Sequence, residues 1–267
     1  MGPGDDGVLD LLERGRIEVE GRLVDASNAT LFCGISLDGV SAQCVYKPVR
    51  GERPLWDFPD GTLAGREVAT YLVSEAAGLH LVPPTVLRAG PFGPGMVQLW
   101  VETREDDDLV DIVPVDQVRP GWRSVLRAHD RYGEPAVLVH ADHPRVRLMA
   151  VFDVVVNNAD RKGGHVLHSV DGGVYGVDHG ICLHADGKLR TVLWGWLGEE
   201  LPEEAVAALG RLRSCLDGGA GDLGERLHEH LTRAEVRALT ERVEKLLAAG
   251  VYPEPSNDWP AIPWPAF

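Results

Sequence analysis

Short alternating runs of apolar and polar residues dominate the N-terminal part of the chain. Three of them, separated by Gly- and Asp-bearing turns as in the hairpins of an antiparallel sheet, lie at residues 17–24, 31–37 and 42–47. Between residues 62 and 77 the apolar residues return at helical spacing, and Gly78 follows where a helix would end. A short apolar run at 96–101 then opens onto the acidic run 102–108. The pattern predicts a β-rich lobe with one amphipathic helix, and a lobe boundary at the acidic run.

The rest of the chain is predicted to be mostly helical apart from one polar region. Residues 148–156 are apolar on nearly every side, as in a buried helix, although their valines also permit a strand. Thr232 and Glu235 have the spacing of a capping box, and apolar residues continue at helical intervals up to Gly250. The tail 252–267 holds five prolines and two tryptophans, which make it too stiff for a helix. We expect the tail to pack along the body.

Length and charge narrow the class of protein. The chain has 267 residues, and we predict an α+β, two-lobed fold with a β-rich lobe at 1–101 and a mainly helical lobe at 102–267. The formal net charge of −15 disfavours nucleic acid and anionic membranes as partners. No apolar run approaches the roughly 20 residues of a membrane span, and the first residues lack a secretory signal. We therefore expect a cytoplasmic protein without integral membrane contact.

Two carboxylates in short polar turns give the strongest chemical signal. Asp160 lies in the sequence Asp-Val-Val-Val-Asn-Asn-Ala-Asp-Arg-Lys-Gly-Gly-His at 153–165, and Asp178 begins Asp-His-Gly after the strand-like residues 173–177. A kinase needs one carboxylate to orient the acceptor hydroxyl and another to hold Mg²⁺. The two are separate because nucleophile and metal approach the phosphate from different sides. The pair therefore predicts a phosphotransfer site.

Three features of the N-terminal part could serve the phosphates of a nucleotide. Lys47 ends a strand-like run, where its ammonium group would either clamp a phosphate or stay solvated. Glu67, in the predicted helix, would pair with this lysine or lie on the helix surface. The turn that contains Ser27, Asn28 and Thr30 has no Gly-rich loop, and it would be either a source of backbone amides for phosphate or an ordinary β-turn. The residues alone leave these alternatives open.

Histidines near the two carboxylates support a competing hypothesis. Imidazoles and carboxylates also form the metal centres of hydrolases. Four histidines lie within residues 160–184: His165, His168, His179 and His184. No H-E-x-x-H motif and no three-residue facial set can be assigned, so a metal-dependent hydrolase stays an alternative. The cysteines lack C-x-x-C spacing and are predicted to be buried, reduced thiols: Cys33, Cys44, Cys182 and Cys215.

Four segments of the chain follow one another in a specific order. They are Val-Tyr-Lys-Pro at 45–48, Arg-Glu-Val-Ala-Thr-Tyr-Leu at 66–72 with Val-Pro-Pro-Thr at 82–85, the segment 153–161, and Val-Asp-His-Gly at 177–180. Together they span about half of the chain. In this order they resemble the phosphatidylinositol 3- and 4-kinase-like family. The likeness is strongest to the type II phosphatidylinositol 4-kinases and their bacterial relatives.

The resemblance implies an atypical kinase that binds ATP with Mg²⁺ between its two lobes. Lys47 would contact the α- and β-phosphates, and Glu67 would position it. Trp100 and Val101 would border the adenine. The strand that contains Leu99 would be the hinge between the lobes and would lend backbone groups to the base.

The same resemblance assigns roles to the two polar loops. Asp160 would be the carboxylate near the acceptor, with Asn158 and Arg161 bracing its loop, and Asp178 would be the chief Mg²⁺ ligand. Five positions after Asp160 the family usually has Asn, whereas this chain has His165. Imidazole is a poorer Mg²⁺ ligand than an oxygen donor. The departure predicts weak metal binding, a preference for Mn²⁺, or a single well-held ion.

The predicted function is ATP-dependent transfer of the γ-phosphate to a hydroxyl group on a protein or a small molecule. A phosphoinositide is less favoured because the chain has a net charge of −15 and neither a basic surface nor an acylated cysteine cluster. The residues do not separate phosphoryl transfer from adenylyl transfer. His165 also motivates an alternative in which the protein is an ATP-binding pseudokinase that regulates a partner.

Overall fold

The alternating N-terminal segments form a five-stranded antiparallel sheet. The computed structural model describes residues 2–23, 29–105, 107–129, 132–218, 222–256 and 258–267. The strands of the sheet are β1 (Arg16–Arg22), β2 (Leu31–Leu37), β3 (Val40–Pro48), β4 (Thr85–Gly90) and β5 (Gly93–Leu99). Their order is β1-β2-β3-β5-β4, and every neighbouring pair is antiparallel. The predicted hairpin-rich sheet is confirmed.

A helix packs against each face of this sheet. On one face, the apolar side chains of α1 (Val8–Arg14) join Cys33, Cys44 and Tyr46 in a buried cluster. Neighbouring residues of a strand point to opposite faces. Lys47 therefore extends from the other face, toward α2 (Leu63–Ala76).

Helix α2 begins and ends where the sequence predicts. The hydroxyl of Thr62, its N-cap, accepts a hydrogen bond from Gly65 N–H at 2.9 Å. The Glu52 carboxylate accepts two more, at 3.0 and 2.8 Å, from the first two N–H groups of the helix, which have no partner within the helix. Gly78 has a φ of 65°, a left-handed conformation that ends the helix. Residues 64–74 are all buried, so α2 is enclosed by the protein instead of lying on its surface.

The second part of the chain contains a sheet that the sequence pattern did not predict. Its strands are β6 (Val110–Pro114), β7 (Trp122–His129) and β8 (Pro135–Ala141), in the order β6-β8-β7. The central strand β8 is buried along residues 136–140, where the sequence is Ala-Val-Leu-Val-His. A strand buried on both faces lacks the alternation that marks a half-exposed strand. Further along, β9 (Val166–His168) and β10 (Val174–Gly176) form a short hairpin.

The helices of this second part are α3 (Pro144–Val155), α4 (Glu203–Leu216), α5 (Leu223–His228) and α6 (Arg233–Ala249). Pro144 at the first position and His143 at the N-cap begin α3. The apolar run that begins at residue 148, which the sequence pattern allowed to be a helix or a strand, is therefore helical. The predicted capping box begins α6, because the Glu235 carboxylate accepts a hydrogen bond from Thr232 N–H at 2.8 Å. These helices and α2 share one core. Among the described residues, no helix is long and apolar enough to cross a membrane.

The proline-rich tail packs along the body, as expected. The carbonyl oxygen of Ala261 accepts a hydrogen bond from Thr191 N–H at 3.0 Å, and that of Ala266 accepts one from Gly163 N–H at 2.8 Å. Tyr252, at the start of the tail, is buried in the main core. The tail therefore runs beside the loop that carries Asp160.

Candidate active site

Lys47 stands between two carboxylates where the lobes meet. Its Nζ atom lies 2.6 Å from Glu67 Oε1 and 2.7 Å from Asp178 Oδ1. Burial acts to lower the pKa of Lys47, but the carboxylates of Asp178 and Glu67 outweigh it and raise this pKa above its ordinary value. The Lys47 ammonium group is likewise the main reason why the pKa of Asp178 is well below its usual range. The structure thus brings together three residues that the sequence places far apart.

Glu67 links helix α2 to the loop after β10. One carboxylate oxygen receives Lys47, and the other accepts a hydrogen bond from His179 N–H at 2.9 Å. Glu67 is only 1% exposed, so its charge is stabilised by these two partners. Asp178 has a φ of 61°, in the left-handed region that residues other than glycine rarely adopt. This turn presents the Asp178 carboxylate to Lys47 and the next N–H group to Glu67.

Arg66, the residue before Glu67, fastens α2 to the C-terminal lobe. Its buried guanidinium group donates hydrogen bonds to Glu235 Oε1 at 2.6 Å, to the carbonyl oxygen of Cys182 at 3.0 Å and to that of Asp60 at 3.1 Å. Glu235 belongs to the capping box of α6, and Cys182 lies in the loop that follows the site. Sequence reasoning used Arg66 only as part of the resemblance and gave it no role. In the structure it holds α2 to two elements of the other lobe.

A buried aspartate organises the loop of Asp160. Asp153, near the end of α3, accepts hydrogen bonds from Arg161 Nη2 at 3.0 Å, Asn158 Nδ2 at 3.1 Å and Thr191 Oγ1 at 2.9 Å. Asn158 Oδ1 in turn accepts one from Asp160 N–H at 2.9 Å. Asn158 and Arg161 therefore brace this loop. Sequence reasoning gave no role to Asp153 or Thr191, although a lone carboxylate in an apolar helix needs a buried partner.

Arg161 also joins the two loops. Its Nη1 atom donates to the carbonyl oxygen of Val177 at 3.0 Å, and its Nη2 atom lies 2.7 Å from His179 Nε2. Arginine only donates hydrogen bonds, so His179 Nε2 is the acceptor. Burial lowers the pKa of His179 well below its ordinary value, which keeps this ring neutral. Arg161 thereby fixes the position of the Asp160 loop relative to Asp178.

Asp160 lines the cleft, and His165 lies beside Asp160 and Asp178. Asp160 lines a space of about 320 Å³ together with Lys47, Glu67 and Asp178. Burial raises the pKa of Asp160 above its ordinary value. His165 Nδ1 lies 3.1 Å from the carbonyl oxygen of Asp160, and His165 Nε2 lies 3.4 Å from Asp178 Oδ2. Burial also lowers the pKa of His165 to about 4, so its ring is neutral at neutral pH.

The predicted hinge residues divide between the two faces of the sheet. The ring of Trp100 packs edge-on against Phe32, with centroids 4.9 Å apart, and Trp100 and Val101 line a groove of about 680 Å³. The side chain of Leu99 instead lies in the buried cluster with α1, on the opposite face. Strand alternation explains the difference between these neighbours. The side chain of Leu99 therefore faces away from the cleft that Lys47 lines.

The turn predicted to approach the phosphates is described in part. Ser27 and Asn28 lie outside the described residues. Thr30 is 4% exposed, and its carbonyl oxygen accepts a hydrogen bond from Leu23 N–H at 3.0 Å. Ala29, its neighbour, lines the same cleft as Lys47. A phosphate contact from this turn stays a prediction.

The histidines do not form a metal centre by themselves. In the ranges that the structure describes, no three His, Cys, Asp or Glu side chains converge so that they could hold a metal ion. His168 instead pairs with Asp107, with Nδ1 and Oδ2 3.0 Å apart. The hydrolase hypothesis gains no support from this geometry. A metal at Asp178 and His165 would need further ligands from a bound nucleotide.

The sheet order, the pairing of a strand lysine with a helix glutamate, and the two carboxylate loops in the second lobe define a two-lobed, kinase-like fold. No protein-family model matches the chain. The chain is 52% identical over 266 residues to Protein Rv2133c of Mycobacterium tuberculosis, and the match covers 96% of this chain and 94% of that protein. The chain therefore belongs to the family of Protein Rv2133c.

The solved structures that are similar to this one include two kinases. The golgi casein kinase matches with a TM-score of 0.47 and 14% identity, over 92% of this chain and 75% of that one. The Helicobacter pylori proinflammatory kinase CtkA matches with a TM-score of 0.44 and 10% identity, over 90% of this chain and 94% of that one. Neither likeness gives information about the activity of this chain.

Proposed function

We propose that this protein is an ATP-dependent phosphotransferase, an atypical kinase that resembles the phosphatidylinositol 3- and 4-kinase-like family. It would transfer the γ-phosphate to a hydroxyl group of a protein or a small molecule. The observation that carries the proposal is the position of Lys47, whose Nζ atom lies 2.6 Å from Glu67 and 2.7 Å from Asp178. Kinases use a lysine held by a helix glutamate, beside a metal-binding aspartate, to orient the phosphates.

Asp160 is the candidate proton acceptor. In the transfer step the acceptor oxygen bonds to the γ-phosphorus, the bond from this phosphorus to the bridging oxygen of ADP breaks, and the hydroxyl proton passes to Asp160. Burial raises the pKa of Asp160, which makes it a better base than an exposed aspartate. Asn158 and Arg161 hold its loop, and Lys47 offsets the negative charge of the phosphates.

Asp178 and His165 are the candidate ligands for Mg²⁺ or Mn²⁺. Their donor atoms fit this role, because the Lys47 contact uses Asp178 Oδ1, and Oδ2 lies 3.4 Å from His165 Nε2. When bound, such an ion would neutralise charge on the β- and γ-phosphates. A phosphoinositide acceptor is disfavoured because a net charge of −15 opposes approach to an anionic membrane.

Calorimetric titration of a non-hydrolysable ATP analogue, with Mg²⁺ or Mn²⁺, tests the nucleotide site. Metal-dependent binding should be lost in Lys47→Ala and kept in Lys245→Ala, which removes an exposed lysine of α6. Asp160→Asn should still bind the analogue but lose transfer from γ-labelled ATP. If wild-type protein binds the analogue with neither metal, the proposal is wrong. Transfer of label from α-labelled ATP would indicate adenylyl transfer instead.

His165 favours a second candidate, an ATP-binding pseudokinase that regulates a partner. The position five residues after Asp160 holds an imidazole where the resembling family has an amide. The test is ATP turnover by wild type and His165→Asn with each metal. A wild type inactive with both metals and a large gain in the variant would indicate a degenerate site. No gain over an active wild type would indicate an enzyme adapted to histidine.

A further inference from the structure

The structure fixes the direction in which His165 presents its free nitrogen. Its Nδ1 atom lies 3.1 Å from the carbonyl oxygen of Asp160. A carbonyl oxygen only accepts hydrogen bonds, so the neutral ring carries its proton on Nδ1 and its lone pair on Nε2. The competing contact, from Lys162 N–H to the same Nδ1 atom, is longer at 3.5 Å. The lone pair of His165 therefore points toward Asp178.

Two electron-rich atoms face each other in this arrangement. His165 Nε2 and Asp178 Oδ2 are 3.4 Å apart, while Lys47 holds the other oxygen of Asp178 at 2.7 Å. With no proton between them, a cation placed between the two atoms would be attracted by both. Two ligand atoms about 2.1 Å from one ion, at an angle of about 90–110°, lie about 3.0–3.4 Å apart. The pair is thus already spaced to share an ion.

We propose that His165 and Asp178 form a mixed nitrogen–oxygen site that takes a first-row transition-metal dication, Mn²⁺ in preference to Mg²⁺, together with the nucleotide. The inference rests on the proposed function, since phosphate oxygens would complete the coordination. Mg²⁺ prefers oxygen ligands and dehydrates reluctantly, whereas imidazole is a good ligand for first-row transition dications. No third protein ligand converges within the described part of the chain, so metal affinity depends on bound nucleotide.

Pulsed electron paramagnetic resonance of Mn²⁺ tests the nitrogen ligand without using activity. In the presence of protein and a non-hydrolysable ATP analogue, the Mn²⁺ echo should be modulated by ¹⁴N. Protein labelled uniformly with ¹⁵N, with unlabelled nucleotide, should lose the ¹⁴N modulation, which would assign the nitrogen to the protein. His165→Asn should also lose it, whereas His168→Asn, at a neighbouring histidine, should keep it.

Calorimetry measures the preference of the site for Mn²⁺ over Mg²⁺. In the wild type, the analogue should bind roughly tenfold more tightly with Mn²⁺ than with Mg²⁺, and in His165→Asn this ratio should fall to roughly threefold or less. The loss should come mainly from tighter binding with Mg²⁺, because Asn supplies an amide oxygen. Thermal unfolding of each variant checks its fold, and the ¹⁵N comparison needs no variant at all.

The outcomes separate the two proposals. If the analogue binds but the wild type shows neither ¹⁴N modulation nor a preference for Mn²⁺, the mixed site is refuted and the phosphotransferase proposal stands. Such a result is the one expected if His165 uses its other tautomer and donates a hydrogen bond to Asp178. If the analogue binds with neither metal, both proposals fail. Protein-derived nitrogen modulation together with the ratio change in His165→Asn would establish the site.

Discussion

Replacing Arg66 with Met tests whether the C-terminal lobe holds helix α2, and with it Glu67, in place. The change keeps the apolar stem of the side chain and removes a guanidinium group that is almost completely buried, the whole residue being 1% exposed. Glu235 Oε1 then loses a donor at 2.6 Å and the Cys182 carbonyl oxygen loses one at 3.0 Å. We expect a less stable protein that binds nucleotide more weakly, because Glu67 is the next residue of the same helix.

The size of the effect follows from what the change leaves behind. Removing one partner of a buried ion pair costs about 3–5 kcal/mol, because the remaining charge is uncompensated. Glu235 keeps hydrogen bonds from the N–H and hydroxyl groups of Thr232, at 2.8 and 2.9 Å. We therefore expect a loss near the lower limit, about 3 kcal/mol. Domains of this kind are stable by about 5–15 kcal/mol, so the loss is large enough to measure.

Glu235→Gln separates the charge from the helix cap. Glutamine also serves in a capping box, so its side-chain oxygen keeps the hydrogen bonds from Thr232, but its NH2 group only donates and cannot accept the hydrogen bond of Arg66. We therefore expect a loss similar to that in Arg66→Met, about 3 kcal/mol, although the cap of α6 is kept. The matched control is Glu244→Gln, an exposed carboxylate on the same helix, which should change stability by no more than about 0.5 kcal/mol.

Urea unfolding gives the free energy of unfolding, and calorimetry with the ATP analogue gives the nucleotide affinity of the same samples. A loss below about 1 kcal/mol in Arg66→Met would refute the reasoning, because it would mean that the pair contributes no more than an exposed one. If Arg66→Met loses the expected free energy of unfolding, about 3 kcal/mol, but binds nucleotide as tightly as wild type, then Arg66 stabilises the fold and does not position Glu67.

Three further predictions concern pH, packing and thiol reactivity. Burial lowers the pKa of His140 from 6.5 to about 4, so the unfolded state binds more protons between these values. The contribution of His140 to stability is fully present above about pH 6.5. From there toward pH 4, the free energy of unfolding should fall by about 1.4 kcal/mol per pH unit more in wild type than in His140→Gln. Urea unfolding at each pH measures this difference, and equal slopes in the two proteins would contradict the prediction. A Cβ atom at Gly95 would lie 2.6 Å from the Lys47 carbonyl oxygen, whereas one at Gly21 meets nothing within 4 Å. In the same assay Gly95→Ala should lower the free energy of unfolding by about 1–3 kcal/mol, and Gly21→Ala by no more than about 0.5 kcal/mol. Similar losses in the two variants would contradict the predicted steric clash at Gly95. A thiol reagent should modify only Cys215 quickly in native protein, and rapid modification of a second thiol would contradict the burial of the other three: Cys33, Cys44 and Cys182.

Signals between residues close in sequence predicted most of the elements. Thr62 and Gly78 mark the ends of α2, and the Thr232–Glu235 capping box begins α6. These signals work because the hydrogen bonds and backbone angles that begin or end a helix involve near neighbours. Lys47 and Asp178 are different, since they are 131 residues apart in sequence and 2.7 Å apart in space. Only the resemblance to a family placed them in one site.

Elements without a local signal were missed. Helix α1 (Val8–Arg14) has seven residues and no side-chain cap, and it exists because the sheet offers an apolar face to cover. Strand β8 is buried on both faces and so lacks alternation. Leu99 and Trp100 are both large and apolar, and only the pairing of β5 with β3 shows that Leu99 is the one that lies in the buried cluster with α1.

Buried charges were the hardest part of the site to predict, because charged residues are normally exposed and a sequence gives no sign of an exception. Arg66, Asp153 and Arg161 are each no more than 1% exposed, and each holds an element that carries a charge of the site. Arg66 anchors the helix of Glu67, while Asp153 and Arg161 join the two carboxylate loops. Burying these ions is compatible with stability only where each is paired. The pairs therefore fix the relative positions of the loops and the helix, and loosening any of them should impair the site without touching a residue that meets the nucleotide.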